Sequence, residues 1–166
     1  YDTAETANVK WAAAGGGSLV GRRAYITTGD VTLPNTSGAW AALSGFELSI
    51  PAAAGDYLEL SSSYMYDPGT NSFLDLAVIV GSTLVRYASS STGTPAIEGD
   101  PAVYDAPQTY RTSGQHFGVV VEAGDLDTGS VRFVVASKSA GSGVLYASTN
   151  YPFRWRAINF GQVAFS

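Results

Sequence analysis

The sequence predicts an all-β chain: a jelly-roll-like antiparallel β-sandwich of about eight or nine strands, preceded by a short N-terminal arm. Between Phe46 and Phe165 almost every apolar run has the two-residue period of a strand, and almost every break is a Gly, Pro, Asp or Ser turn. A chain of 166 residues fits one domain. At that size folding buries roughly 70% of the surface an unfolded chain exposes.

Residues 1–21 differ in kind from residues 22–166 and form the arm. Asp2 with Glu5 three residues on makes a variant capping box, Ala4, Ala7, Lys10 and Ala12 to Ala14 favour helix, and Gly15-Gly16-Gly17 ends it. Because so short a helix is marginal alone, the segment reads either as a loosely docked terminus or as an anchor to a larger assembly.

The predicted strands run roughly over 24–32, 45–50, 56–65, 72–80, 84–88, 117–122, 130–137, 144–147 and 153–160. In Phe46-Glu47-Leu48-Ser49-Ile50 the strict alternation makes one face core and the other wet, and Pro51 stops the strand. The run Leu74 to Val80 is apolar on both faces except at Asp75, as is Val119-Val120-Val121. Such strands need cover on two sides, from the second sheet and from either another subunit or a loop of the same chain. Another subunit means a homotrimer here. Asp67-Pro68-Gly69 and Ala123-Gly124-Asp125 supply turns. The longest weakly patterned stretch, 89–115, holds Pro95, Pro101 and Pro107 and is the first place to look for recognition.

Composition narrows the function classes. Only 14% of residues are charged, against about 25% in an average soluble domain, so Ser, Thr, Gly and Ala cover much of the surface. The net charge is −5 and no Lys/Arg cluster exceeds Arg22-Arg23, which argues against a nucleic-acid partner. No apolar run reaches the ~18 residues of a membrane-spanning helix, so no membrane insertion is expected. With no cysteine there are no disulfides and no thiolate chemistry, and stability comes from packing or association.

Catalytic and metal sites are weakly signalled. His116 is the single histidine and reads as structural, since no second His completes a metal cluster and no Ser sits in a Gly-x-Ser-x-Gly elbow. Glu98, Asp100, Asp105 and Glu122 offer a glycosidase-like carboxylate pair or, more simply, solvated turns. Asp125-Leu126-Asp127-Thr128-Gly129 alternates carboxylates as a calcium loop does but lacks the distal Glu, and reads as a turn. No catalytic residue, metal ligand or cofactor is therefore assigned.

Aromatic residues carry more. Tyr64 and Tyr66 flank a predicted corner, and Tyr104 and Tyr110 lie in the Pro-rich stretch beside Asp105 and Arg111. A tyrosine joins a flat apolar face to a hydroxyl, which suits sugar stacking and protein interfaces alike. These six residues are the candidate ligand-binding set, the alternative being that the rings pack over the ends of the sandwich. Along 153–160, alternation sends Phe153 and Trp155 to the core and Arg154 and Arg156 outward, to pair across a subunit interface or on an ordinary surface.

The succession Thr32-Leu33-Pro34, Trp40, Phe46 to Pro51, then Gly55-Asp56-Tyr57-Leu58-Glu59-Leu60 resembles the opening of the small jelly-roll domains of tailed-bacteriophage virion proteins. Thr128 to Phe133 and Leu145-Tyr146-Ala147-Ser148 are similar to their closing strands. The resemblance implies a non-enzymatic virion appendage, commonly a homotrimer. It would be a tail-fibre receptor-binding head or a capsid decoration, with other virion proteins as partners and a host-surface saccharide as ligand. The expectation from another class is a monomeric carbohydrate-binding module of a secreted enzyme.

Overall fold

The computed structural model describes residues 9–12, 18–67, 69, 72–88, 103–104, 111–139, 141 and 143–162. In chain order its strands are β1 (Val9–Ala12), β2 (Ser18–Ile26), β3 (Val31–Thr32), β4 (Ala41–Pro51), β5 (Asp56–Asp67), β6 (Phe73–Val80), β7 (Thr83–Tyr87), β8 (Val103–Tyr104), β9 (Arg111–Val120), β10 (Leu126–Asp127), β11 (Ser130–Lys138), β12 (Val144–Tyr146) and β13 (Phe153–Gln162). A 3-10 turn, Ala123–Asp125, follows β9.

Two antiparallel sheets result. The first runs β1-β2-β13-β5-β9, with the short β3 and β12 continuing the β2 and β13 lanes at one end. The second runs β4-β11-β6-β7, with β10 and β8 at its margins. Taking the principal strands β2, β4, β5, β6, β7, β9, β11 and β13 in order, one sheet holds the first, eighth, third and sixth. The other holds the second, seventh, fourth and fifth. Chain-distant strands thus sit side by side in both sheets, the double Greek-key winding that defines a jelly roll.

Alternation fills the space between the sheets. On β5, buried residues alternate with half-buried ones along the whole strand. On β13, Phe153, Trp155 and Ala157 turn inward while Arg154 and Arg156 stay exposed. The main core gathers Phe46, Leu48, Ile50, Leu58, Leu60, Leu76, Phe133 and Phe153. Polar contacts also tie the two sheets: the Asn159 amide donates to the Pro51 carbonyl, 2.9 Å, at the end of β4 and to Asp56 Oδ2, 2.8 Å, at the start of β5, and Gln115 Nε2 on β9 donates to Asp75 Oδ1 on β6, 3.3 Å.

Two expectations need correction, and between them one alternative that the sequence left open is decided. Val9–Ala12 is a strand paired in register with Ser18–Gly21, not part of a helix. The edge of β2 supplies ladder partners that an isolated short helix lacks, and Val9 and Trp11 are strand formers. The strand β2 enters the first sheet from Ser18. The outward residues of the central strands, Ala77, Ile79, Val134 and Ala136, are buried within the single chain. They form a satellite cluster with Tyr87, against which Trp40, Ala42 and Leu84 pack, and the Trp40 and Tyr87 rings lie 5.8 Å apart. A partner subunit is not what buries this face. Second, the Val119 to Val121 run is covered on one side alone, since Val120 is 42% exposed.

The Asp125 to Gly129 segment is a turn and hairpin. Thr128 and Gly129 both take positive φ, 52° and 76°, as a two-residue hairpin loop requires. Its two carboxylates serve different arginines, Asp125 pairing with Arg86 and Asp127 with Arg132.

Gly143 sits where the core has no room. A Cβ there would lie 2.9 Å from both Leu33 Cδ1 and Ser72 Oγ. Ser72 is itself fixed by a 2.7 Å hydroxyl–hydroxyl bond to Ser139. Gly143→Ala is expected to destabilise the fold by about 1–3 kcal/mol through overpacking, read as a lower denaturant midpoint at unchanged m-value. An unshifted midpoint would mean that Leu33 and Ser72 yield without cost.

Candidate functional site: the open face of the first sheet

The apolar part of the second sheet's outer face is covered by its own chain, whereas the middle of the first sheet's outer face is open. Its outward positions are Arg23 and Tyr25 on β2, Arg154, Arg156 and Ile158 on β13, Glu59, Ser61, Ser63 and Met65 on β5, and His116 on β9. Each follows from an inward neighbour: Ala24 and Ile26, Phe153 and Trp155, or Leu60 and Ser62 face the core.

Register aligns these side chains into rows. Arg23 pairs with Arg156, Arg156 with Ser61, and Ser61 with His116. One step along the strands, Tyr25 pairs with Arg154 and Arg154 with Ser63. Strands lie about 4.8 Å apart, so the first row crosses the sheet over roughly 14 Å and the second over roughly 10 Å.

Small serines between long arginines leave hollows. A depression of about 230 Å³ is lined by Arg23, Tyr25, Ser61, Ser63, Arg154 and Arg156. A second, of about 80 Å³, shares Ser61 and Arg156 and adds Glu59, His116 and Ile158. A third, of about 140 Å³, shares Ser63 and Arg154 and reaches Asn150, Tyr151 and Pro152. Each is smaller than the ~300–1,000 Å³ clefts that enclose small substrates. Because neighbouring depressions share lining residues, the three lie side by side as a shallow, interrupted track along the face.

The electrostatics of the track differ from those elsewhere on the surface. Arg86 and Arg132 are ion-paired on the other sheet. Among the described residues, no carboxylate lies within ion-pair reach of Arg23, Arg154 or Arg156. Glu59 is the one carboxylate lining the three depressions, and His116 Nε2 lies 3.9 Å from it. An acidic chain of net charge −5 thus gathers three of its nine basic side chains on one exposed plane. Tyr25, 43% exposed, and Tyr151, 49% exposed, stand at the margins.

No protein-family model and no curated protein matches the chain. Among solved structures it is similar to the carbohydrate-binding module CBM6cm-2 of Cellvibrio mixtus lichenase 5A in complex with cellotriose, at 20% identity, 93% of this chain, 86% of that one and a TM-score of 0.30. The VP2 subviral particle of infectious bursal disease virus matches at 16% identity, 89% of this chain, 38% of that one and a TM-score of 0.40. The C-terminal CBM6 of LamC from Zobellia galactanivorans matches at 16% identity, 92% of this chain, 87% of that one and a TM-score of 0.29. With TM-scores below 0.5 these likenesses carry no argument about this chain, and the jelly roll rests on its own strand order.

The residues expected to bind ligand are not gathered here. Tyr64 and Tyr66 are corrected to core residues, because the alternation of β5 turns its even positions inward. Tyr64 stacks on Phe153 at 5.2 Å and 5° and donates to Gln115 Oε1, 3.4 Å. Burial, with the neighbouring Tyr66 and Asp75, pushes its hydroxyl far above the ordinary tyrosine range. Arg111 opens β9 opposite Tyr66, and Tyr104 pairs with Phe73 on β6; their side chains are outside the described residues. Asp105 and Tyr110 lie outside the described residues altogether, as do Glu98 and Asp100. Glu122 is exposed, 3.5 Å from Arg86. Arg23, Tyr25, Ser61, Ser63 and Tyr151 were not among the binding residues expected from the sequence. The outward Arg154 and Arg156 were noticed, but what they neighbour depends on register.

Proposed function

We propose that this jelly roll is a non-enzymatic recognition domain that docks an extended saccharide on the open face of its first sheet. The observation that carries the reading is the row of three adjoining shallow depressions on one sheet face, with exposed Tyr25 lining the first and exposed Tyr151 lining the third. A shallow track suits contact along a chain, whereas catalysis on a small substrate calls for an enclosing cleft. Tyrosine rings offer stacking area at low entropic cost.

The setting we propose is a bacteriophage virion appendage, a host-attachment head or capsid decoration, as the strand-and-turn succession from Thr32 to Leu60 resembles. In that setting copies held together convert weak single sites into avidity. One observation favours the monomeric carbohydrate-binding module as a second reading: the apolar outer face of the second sheet is already covered by Trp40, Ala42 and Leu84. Absolute mass by light scattering over a wide concentration range separates the two. A stable trimer supports the appendage, and a persistent monomer favours the module.

Retention on a panel of immobilised polysaccharides tests the recognition reading itself. Tyr25→Ala and Tyr151→Ala are expected to weaken retention about tenfold each, at unchanged thermal stability, since losing a base-sized stacking contact costs ~1–3 kcal/mol. No retention on any polysaccharide would overturn it.

A further inference from the structure

We infer that the ligand of this face is a polysaccharide with repeating carboxylates, held by Arg154 and Arg156 on β13 and Arg23 on β2. The inference rests on the recognition reading and names its ligand class. Three guanidinium groups project from adjoining positions, Arg23 and Arg156 as cross-strand partners and Arg154 two residues along the same strand. A guanidinium presents a planar fork of donors that matches a carboxylate bidentately. Elsewhere on this protein that fork is already used: Arg132 holds Glu47 and Asp127, each at 2.7 Å, and Arg86 holds Asp125 at 2.7 Å. On the open face Arg23, Arg154 and Arg156 stand together without a carboxylate, and their closeness costs mutual repulsion that an anion relieves.

The rest of the face selects a sugar over other polyanions. Ser61 and Ser63 set hydroxyls, each able to donate and accept, between the arginines and β9. An extended acidic peptide needs partners for its own N–H and C=O groups, which a sheet edge supplies and a sheet face does not. Nucleic acid brings a charge every ~1.7 Å of duplex, against a face that holds Glu59 in its second depression and a chain of net charge −5. A saccharide with one carboxylate per unit places anions sparsely enough to meet the guanidiniums and leaves ring hydroxyls for the serines.

The experiment is affinity electrophoresis or calorimetry of the full chain with polygalacturonate and with a neutral glucan. The set of proteins comprises wild type, Arg154→Ala/Arg156→Ala and Arg154→Lys/Arg156→Lys. These positions are exposed and unpaired, so thermal unfolding of both variants is expected to match wild type. Polygalacturonate should bind more tightly than the glucan and weaken as salt rises. The alanine pair should lose about tenfold or more per guanidinium. The lysine pair should lose most of that too, because it keeps the charge and loses the fork. Full binding by the lysine pair would reduce the effect to unspecific attraction and overturn the inference. So would displacement by polyglutamate or single-stranded DNA at matched charge. Glucan binding that equals polygalacturonate and depends on Tyr25 would sink the carboxylate assignment and leave saccharide recognition standing. Binding to neither, nor to any saccharide, would remove both.

Discussion

Phe153→Ala is expected to cost about 3–5 kcal/mol of folding stability, the range for removing a fully buried phenylalanine. The ring sits where three others meet: edge-on to Phe46 at 5.4 Å across the sheets, stacked on Tyr64 at 5.2 Å, and tilted against Trp155 at 5.1 Å. Phe46 belongs to the second sheet and the other two to the first, so the deletion opens a cavity between the layers. Phe153→Leu restores much of the volume and should recover roughly half of the loss. Chemical denaturation of both variants checks this, and a loss below about 1 kcal/mol for the alanine would mean that the layers close over the gap.

Arg86→Ala should cost about 3–5 kcal/mol, as removal of one partner from a buried ion pair does. The Asp125 side chain is 3% exposed and Arg86 13%, with Nη1 to Oδ2 at 2.7 Å. The Asp125 carboxylate also accepts the Glu122 N–H, 2.8 Å, which holds the 3-10 turn after β9. Without Arg86 that carboxylate stays buried and uncompensated. Arg132→Ala, whose pairs with Glu47 and Asp127 are more exposed, should cost no more than about 1 kcal/mol. Equal losses in the two variants would show that burial does not govern these pairs. The double change Arg86→Met/Asp125→Leu should recover most of the single-variant loss, since it removes the stranded charge along with its partner.

Much of the fold was legible because strand periodicity and turn chemistry are local. The boundaries of β5, β6, β11 and β13 follow from alternation and from Gly and Pro breaks within a few residues of each. The face that matters was not legible, for a geometric reason. Arg23 and Arg156 become neighbours only once β2 lies against β13, and no local pattern states that pairing. Tyr64 and Tyr66 show the opposite failure. Their residue type suited a binding platform, but the parity of β5 had already sent them inward with Leu58 and Leu60. Apolar residues on both sides of β6 called for a second cover, from another subunit or from the same chain, and periodicity could not choose between them. Trp40, which lies before β4 in sequence, packs against the outer side.

The neighbouring of β2 and β13 also sets when the protein can fold. Val20 takes its ladder partner from Asn159, and β5 takes one of its two neighbours from the same late strand. At synthesis speeds of ~5–20 residues per second, the early strand waits on the order of ten seconds for its mate. The second sheet can assemble sooner, since β4, β6 and β7 are all made before β11. The nascent chain therefore passes through a stage with one sheet paired and one edge of β5 still without its ladder partner β13. During that interval a holding chaperone has most to bind, and slowed translation beyond β11 would lengthen the exposure.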